Sequence, residues 1–205
     1  MKFLIYGATK GRGDGIGQAV ALKLIERGHE VWGLCRNSEK ATKETRFKLE
    51  AVDIVGEAGQ SRVKELVQEV DPEVIWSACG AGHAEPLWTL PAQSIEEMID
   101  ANVRNNVLFC KTCAPSCLDG GPHLILTGSV AGVLDGVGGA SVYAGAKGFL
   151  LPFVRGQRNE YGRQGHNAKL SLLMLAATRM TGMEIVANAL EFIGGQTRSI
   201  ELLIN

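Results

Sequence analysis

The sequence of 205 residues has no apolar stretch long enough to cross a membrane. Its longest apolar run, LSLLMLAA, has the length of a buried strand, whereas a membrane helix needs roughly 18 apolar residues. The opening residues, MKFLIYGATK, contain an apolar run of only four residues, which is too short for the core of a secretory signal peptide. We therefore expect a soluble, cytoplasmic protein that does not associate with membranes.

The sequence also has no excess of positively or negatively charged residues. The 21 Lys and Arg residues balance 22 Asp and Glu residues and leave a formal net charge of −1, which gives no indication of a nucleic-acid partner. Hydrophobic residues make up 45% of the chain and charged residues 21%, the ordinary balance of a globular protein. We expect one domain covering residues 1–205, large enough for a full hydrophobic core.

A disulfide framework is not expected, because the five cysteines are an odd number and no export signal precedes them. Cys110, Cys113 and Cys117 share one face of a predicted helix, at the spacing i, i+3, i+7. This spacing could serve a metal, but no histidine stands nearby at ligand spacing. We interpret the three cysteines as small buried residues of a packed helix and predict no metal site.

Short apolar segments alternate with amphipathic segments along the whole chain. The segments with strand character are KFLIYG, HEVWGLCR, KLEAVDI, PEVIWSACG, PHLILTGS, AKLSLLMLA and RSIELLIN. The segments with helical character cover residues 17–28, 59–71, 94–118, 141–162 and 182–195. Unalternating apolar strands between amphipathic helices indicate a parallel sheet covered on both faces. The predicted fold is therefore α/β, a single-domain, Rossmann-like, doubly wound sheet of about seven strands.

Four residues predict where helices end or bend. Gly28 follows the first helix and is a C-cap signal. Ser94 suits the N-cap of the third helix, and Glu97 three residues later completes a capping box. Pro152 lies inside the fourth helix, where it is expected to introduce a kink.

Residues 7–17, GATKGRGDGIG, follow the first strand and open the first helix. A glycine-rich turn at this place brings backbone N–H groups and a helix N-terminus to a pyrophosphate. The spacing fits in two ways, one with Gly11 and Gly13 and the other with Gly15 and Gly17 after the shared Gly7. Alone, the motif is a weak signal, since glycine-rich turns also occur in loops without a binding function.

The end of the second strand bears on which dinucleotide would bind. In this architecture an acidic residue there binds the 2′-hydroxyl of NAD, but the sequence reads LCRNS, with no carboxylate before Glu39. Arg36 offers a fork of donors to a 2′-phosphate, which favours NADP over NAD, unless it is a solvated loop arginine. Lys10 and Arg12 add positive charge nearby. Asp53, at the end of the third strand, is either an acceptor for the adenine amine or a plain loop aspartate.

A possible catalytic pair lies in YAGAK, where Tyr143 and Lys147 stand one helical turn apart. An ammonium near a phenol favours the phenolate, so such a tyrosine can exchange a proton with an alcohol oxygen. By itself this spacing is common on helix surfaces. Ser129 at the end of the preceding strand, in LILTGSVAG, and Asn102 in the interior of a helix, in IDANV, add two polar groups.

These motifs, in this order and on these elements, resemble those of the short-chain dehydrogenase/reductase family over nearly the whole chain, in the style of 3-oxoacyl-carrier-protein reductases. The resemblance implies that Tyr143 is the general acid and that Ser129 polarises a substrate carbonyl. Lys147 would bind the nicotinamide ribose and favour the tyrosine phenolate, and Asn102 would hold a water of a proton relay. Thr178 would contact the nicotinamide end of NADP(H).

The resemblance also favours one register of the glycine turn. The sequence from Gly15 onward runs without a gap into the family's helix and second strand, so Gly15 and Gly17 open the helix in a loop about four residues longer than usual. The residues assigned to the cofactor are Gly7, Thr9, Lys10, Arg12, Gly15, Ile16, Gly17, Arg36, Asp53, Ala78, Gly80, Tyr143, Lys147 and Thr178.

The sequence departs from the family pattern in several further places. The family's NNAG is SACG here, residues 77–80, and its Pro-Gly after the sixth strand is LLMLAA. After Met180 the chain passes almost directly into the next helix, so the usual substrate lid and the C-terminal extension are short or missing. An open site fits a large or carrier-tethered substrate, a wall supplied by another subunit, or a loss of activity.

Three functions stay open at this stage. The first is an NADP(H)-dependent ketoreductase or alcohol dehydrogenase, an enzyme of class EC 1.1.1. The second is a dinucleotide-binding sensor or scaffold without activity, and the third is a related reductase that acts on an enone, an imine or a pterin-like ring.

Other residues are candidates for the wall of the substrate pocket or for the interface between subunits. His83, Trp88 and Cys79 follow the fourth strand and are candidates for the substrate pocket, Trp88 as a packing or wall residue. The two long helices, 94–117 and 141–161, resemble the pair that forms a four-helix dimer interface in the family. We therefore expect a homodimer or homotetramer.

Overall fold

The computed structural model describes residues 1–9, 15–44, 46–134, 136, 138–175 and 201–203. The predicted helix over 182–195 and the shortened lid after Met180 lie outside these ranges, as do Lys10, Arg12 and Thr178. The strands are β1 (Lys2–Tyr6), β2 (Glu30–Cys35), β3 (Lys48–Ala51), β4 (Val74–Ser77), β5 (His123–Ser129), β6 (Leu170–Leu175) and β7 (Glu201–Leu203).

The seven strands form one parallel sheet in the order β3-β2-β1-β4-β5-β6-β7, which confirms the predicted fold class. The chain runs outward from β1 to β3 and then returns to place β4 on the other side of β1. Tyr6 and Ser77 pair at the carboxyl ends of these two strands. In such sheets ligands bind at the crevice outside this point of reversal.

The helices lie between the strands in sequence. They are α1 (Ile16–Glu26), α2 (Ser38–Lys43), α3 (Glu57–Val70), α4 (Ala92–Ile99), α5 (Asn105–Cys113), α6 (Ser141–Gly148) and α7 (Leu150–Arg163). Helix α2 was not predicted, because its sequence, SEKATK, has no apolar periodicity. The Asn37 side chain caps this helix by accepting a hydrogen bond from the Lys40 N–H at 2.9 Å.

Two apolar layers cover the sheet. Leu4 and Tyr6 of β1 belong to the layer formed with α3, α5 and α7. Phe3 and Ile5 point the other way and pack with Val20 and other residues of α1. This two-sided burial explains why the strands read as continuous apolar runs. Cys110, Cys113 and Cys117 lie buried in the first layer, as their interpretation as packing residues predicts.

The third predicted helix starts earlier than expected. Its first element, α4, begins at Ala92 after Pro91, so the assignment of Ser94 as N-cap was wrong. The Ser94 N–H already donates to the Pro91 carbonyl at 2.9 Å, inside the first turn. Pro91, at φ −57°, precedes this turn with a fixed backbone angle, and Ala92 and Gln93 extend the helix toward it.

Two irregularities interrupt the long helical segments. A single π-turn over Asp100–Arg104 joins α4 to α5 and has Asn102 at its centre. The segment of Tyr143 and Lys147 is interrupted at Phe149, between α6 and α7. Pro152 has no N–H for the Gly148 carbonyl four residues before it, so one helical hydrogen bond is missing at this point. Phe149 keeps helical angles, φ −55° and ψ −37°, so the backbone remains helical there.

Candidate active site

The two described ends of the glycine turn after β1 fit the second register. Gly7 adopts φ +87° and Gly15 φ +43°, both in the left-handed region that favours glycine. Helix α1 begins directly after Gly15. A Cβ on Gly17 would collide with the Gly7 carbonyl, so only glycine lets the helix pass this close to the strand. The helix therefore opens at Gly15 and Gly17, while Gly11 and Gly13 lie outside the described residues.

The start of the turn lies in the crevice between β1 and β4. The Ala78 N–H donates to the Tyr6 carbonyl at 2.8 Å, and the Gly7 N–H donates to the Leu34 carbonyl at 2.8 Å. A Cβ on Gly7 would stand 3.0 Å from the Cys79 backbone nitrogen. The backbone at Gly7 carries no side chain and lies beside the N-terminus of α1. Such a place is suited to a pyrophosphate, because the first N–H groups of a helix have no hydrogen-bond partners within the helix.

Two predicted adenosine contacts lie on the same edge of the sheet. Arg36 directly follows β2 and is exposed, and no ion pair between described residues uses its guanidinium. Asp53 is exposed as well, but it stands two residues beyond β3, which ends at Ala51, and not at the strand's end as predicted. One Asp53 carboxylate oxygen accepts the Val55 N–H at 3.1 Å, the contact of a loop aspartate.

The structure brings Asn102 and Lys147 together at Gly80. A Cβ on Gly80 would stand 2.9 Å from Asn102 Oδ1 and 3.1 Å from Lys147 Nζ. Lys147 is 4% exposed, and its Nζ donates to the Thr127 carbonyl at 2.8 Å. The Asn102 amide nitrogen donates to the carbonyls of Ala81 and Met98. Asn102 Oδ1 is buried and has no hydrogen-bond partner among the described residues.

Tyr143 lies one helical turn before Lys147, and Ser129 lies at the end of the strand that precedes this helix. The position of a Cβ on Gly82 is 3.3 Å from Cδ2 of the Tyr143 ring, so the loop after β4 passes over the tyrosine. Ser129 ends β5, and its Oγ accepts the Ala131 N–H at 3.2 Å. The loop after Ser129 packs on the helix that carries Tyr143 and Lys147, because a Cβ on Gly132 would come within 2.6 Å of the Gly148 nitrogen.

Burial sets the charge properties of this cluster. Removal of Lys147 from water lowers the pKa of its ammonium to about 8, while the nearby Cys79 acts in the opposite sense. Burial also raises the pKa of the Cys79 thiol to about 12, so Cys79 is neutral at physiological pH. Lys147 is therefore still mostly protonated at pH 7, but its pKa lies only slightly above that pH.

A buried set of hydrogen bonds under the cluster was not foreseen from the sequence. Ser77 Oγ donates to Asn106 Oδ1 at 2.7 Å, and Asn106 Nδ2 donates to the carbonyls of Ala101 and Asn102, each at 3.0 Å. Both Ser77 and Asn106 are 0% exposed. Two consecutive asparagines inside a predicted helix, Asn105 and Asn106, were the signal that could have led to it, since asparagine is a poor helix former.

The same hydrogen-bond set reaches Lys147 through Thr127. Thr127 Oγ1 donates to the Ser77 carbonyl at 2.7 Å and accepts from the Trp76 indole N–H at 2.9 Å. The Thr127 carbonyl is the acceptor for Lys147 Nζ. Hydrogen bonds thus connect β4, β5, α5 and α6 around the site.

The three candidates for the wall of a substrate pocket, Cys79, His83 and Trp88, lie in different places in the structure. Cys79 lies beside the glycine turn, with Sγ 3.1 Å from the position of a Cβ on Gly7. His83 Nε2 is 3.8 Å from a Glu97 carboxylate oxygen, which links the loop after β4 to α4. Trp88 is 88% exposed, so its assignment as a packing residue was wrong within this chain. Its loop, over 82–91, turns the indole outward instead of toward the sheet.

Comparisons with known proteins agree with this architecture. The family model described as short chain dehydrogenase matches residues 4–191. A carbonyl reductase family member 4 of Danio rerio is 30% identical over 189 residues, which are 87% of this chain and 76% of the relative. A hydroxynaphthalene reductase of Aspergillus fumigatus is 26% identical over 166 residues, 76% of this chain, and the matched part is 60% of that reductase's length.

Solved structures show the same fold. A serine dehydrogenase from Escherichia coli superposes with a TM-score of 0.74 at 21% identity, and the match covers 96% of this chain and 92% of that one. None of the helices in the described ranges has the length and apolar character that a membrane crossing requires.

Proposed function

The chain belongs to the short-chain dehydrogenase/reductase family of hydride-transferring oxidoreductases, and on that premise we propose that it is an NADP(H)-dependent reductase of ketone or aldehyde carbonyls, with Tyr143 as general acid. The observation that carries the proposal is the convergence of Asn102 and Lys147 at Gly80, beside Tyr143 at Gly82. Burial of Lys147, whose pKa falls to about 8, costs stability, and strongly shifted pKa values of this kind are frequent at functional sites.

The glycine turn fits a dinucleotide, since Gly7 and Gly17 leave a cradle that a Cβ would fill. Gly7, Thr9, Gly15, Ile16 and Gly17 would hold the pyrophosphate. On the other side of the crevice, Ala78 and Gly80 would face the bound nucleotide. When bound in its reduced form, the nicotinamide supplies a hydride for the carbonyl carbon.

Each polar group of the site has hydrogen-bonding capacity left for this chemistry. The Ser129 hydroxyl accepts from Ala131 and keeps its O–H to donate to a carbonyl oxygen. Lys147 uses one N–H on Thr127 and keeps two for ribose hydroxyls. Asn102 Oδ1 can accept a hydrogen bond from a water, and that water would relay a proton toward Lys147. The Tyr143 hydroxyl would then protonate the oxygen that Ser129 polarises.

The preference for NADP is proposed from Arg36. Charge reversal, Arg36→Glu, should raise the KM for NADPH at least about tenfold, because a guanidinium–phosphate contact is a charge-assisted hydrogen bond worth roughly 1.5–3 kcal/mol. The KM for NADH should be nearly unchanged or lower. Steady-state kinetics with both cofactors would measure the ratio.

The matched control for Arg36 is Arg27→Glu, which makes the same change in net charge at the opposite end of α1. It should leave the ratio of the two KM values as in the wild type. An unchanged ratio in Arg36→Glu would refute the assignment of Arg36 to the 2′-phosphate.

The substrate is proposed as a class, a small or carrier-tethered carbonyl compound. A panel of ketones, aldehydes, 3-oxoacyl thioesters, enones and imines, followed by NADPH absorbance, would test it. Oxidation of NADPH with a ketone or aldehyde supports the proposal, and oxidation with an enone or imine alone identifies a related reductase. Tight NADPH binding without turnover of any compound would favour a dinucleotide-binding sensor or scaffold.

A homodimer or homotetramer is proposed through the surfaces of α4–α5 and α6–α7. Ile99 is 46% exposed and Phe149 39%, and the Phe149 ring stacks on Phe153 with centroids 5.5 Å apart. Apolar side chains of this kind are typical of interface cores. Sedimentation velocity at micromolar concentration should show a dimer or tetramer, and a monomer would contradict this proposal.

A further inference from the structure

The π-turn around Asn102 is held by a side chain that the proposed chemistry does not use. In a π-turn a backbone N–H bonds to the carbonyl five residues back instead of four, as the Asn105 N–H does to the Asp100 carbonyl. Asn106 Nδ2 supplies two N–H groups, one to the Ala101 carbonyl and one to the Asn102 carbonyl, each at 3.0 Å. One amide therefore satisfies two carbonyls of the turn that presents Asn102.

The other end of the Asn106 amide is fixed to the sheet. Its Oδ1 accepts from Ser77 Oγ at 2.7 Å, at the last residue of β4. Ser77 and Asn106 are both fully buried, where a hydrogen bond is strong and an unpaired polar group is costly. The Ser77 carbonyl in turn accepts from Thr127, the residue whose own carbonyl binds Lys147. The pair thus ties the turn of Asn102 to the strand residue that holds Lys147.

The Asn102 backbone oxygen is already occupied by Asn106, so the free acceptor of Asn102 is its side-chain Oδ1. This oxygen and the Lys147 ammonium both face Gly80, at 2.9 Å and 3.1 Å from the position of a Cβ on that residue, while the amide nitrogen of Asn102 is held by Ala81 and Met98. Its direction depends on the backbone of the π-turn. A loosened turn would move this acceptor relative to Lys147, and displacements of about 1 Å can lower catalytic rates roughly a hundredfold.

We propose that Ser77 and Asn106 form a positioning pair that fixes the π-turn and thereby aims Asn102 Oδ1 at Lys147. The proposal deepens the proposed function and rests on it for its kinetic consequences. Neither residue touches substrate or cofactor; each acts through Asn102. The pair also accounts for Ser77 at the strand end, where it anchors the helix through Asn106.

The test compares Asn106→Leu and Ser77→Ala with Thr112→Val. Leucine keeps the volume of Asn106 and removes its hydrogen bonds. Thr112 is a buried residue of the same helix whose hydroxyl bonds only to the Leu108 carbonyl among the described residues, so its replacement controls for the loss of a buried polar group.

Asn106→Leu should lower kcat about tenfold or more, with the Kd for NADPH and the KM for the carbonyl within about twofold of wild type. Ser77→Ala should lower kcat about threefold, since Asn106 keeps its bonds to the turn. Thr112→Val should leave kcat unchanged. A kcat within twofold of wild type in Asn106→Leu, or an equal loss in Thr112→Val, would overturn the proposal.

A second readout does not depend on turnover. NMR titration of the Lys147 side chain in the free protein should show a lower midpoint in Asn106→Leu, because the ammonium loses the oriented Asn102 oxygen. An unchanged midpoint would overturn the positioning role even if no carbonyl is reduced and the proposed function itself fails. Should Asn106→Leu not fold, the kcat and the Lys147 midpoint of Ser77→Ala decide, and wild-type values in both would refute the pair.

Discussion

Tyr143→Phe is expected to lower kcat/KM for carbonyl reduction by about 1000-fold, within the range that general acid catalysis contributes. The substitution removes the proton donor and leaves the ring that lies against Gly82. Because phenylalanine fills the same space, the Kd for NADPH should stay within twofold and the fold should be intact. Initial rates and fluorescence titration with NADPH would measure the two quantities.

The matched control is Tyr161→Phe. Tyr161 lies on α7, and its hydroxyl donates to Gln157 at 3.0 Å, away from the site. This variant should keep the wild-type rate. If Tyr143→Phe retained more than a tenth of the activity, another group would have to donate the proton, and the role of Tyr143 would be refuted.

Lys147→Met is expected to raise the stability of the protein while it removes most of the activity. A lysine whose pKa falls from 10.5 to about 8 costs roughly 3 kcal/mol at neutral pH relative to the unfolded chain. Methionine has a similar length and no charge, and it gives up the hydrogen bond to Thr127. We expect a net gain of about 1–2 kcal/mol in the free energy of unfolding at pH 7. Activity should fall at least about a hundredfold.

The gain should depend on pH in a defined sense. Between about pH 8 and 10.5 the unfolded chain binds a proton at this lysine that the folded protein has lost, so the stability of the wild type rises with pH in that window. The advantage of Lys147→Met should therefore be largest below pH 8 and shrink toward pH 10.5. Urea unfolding of both proteins at pH 7 and pH 10 would measure it.

Lys111→Met is the control for this change, since Lys111 is exposed on α5. It should alter neither stability nor activity. A Lys147→Met variant that is less stable than wild type at pH 7 would show that the buried ammonium stabilises the fold, contrary to the cost derived from its burial.

The parallel sheet could be predicted from the sequence because its strands are buried on both faces. In runs such as FLIY, apolar and polar residues do not alternate. Both faces of such a strand must therefore be covered by apolar side chains. The start of α1 could be predicted only with the family resemblance, because the glycine spacing alone fits two registers, and the structure adds that only glycine fits at position 17 against the Gly7 carbonyl.

Other features depend on contacts that lie far apart in the chain. Ser77 and Asn106 are 29 positions apart, and neither residue alone predicts their hydrogen bond. The start of α4 was misplaced because Ser94 is a good capping residue, yet the proline before Ala92 begins the helix earlier. Trp88 was expected to pack or to form a pocket wall, and nothing in its own segment indicates that the side chain is 88% exposed.

The central claim is that this site reduces a carbonyl with hydride from NADPH and a proton from Tyr143. The most direct measurement is mass spectrometry of the alcohol formed when NADPH deuterated at the transferable nicotinamide position is incubated with the carbonyl panel. The account predicts one deuterium on the former carbonyl carbon with the wild-type protein and almost none with Tyr143→Phe. Binding of NADPH without deuterium in any product, or equal labelling by the two proteins, would contradict it.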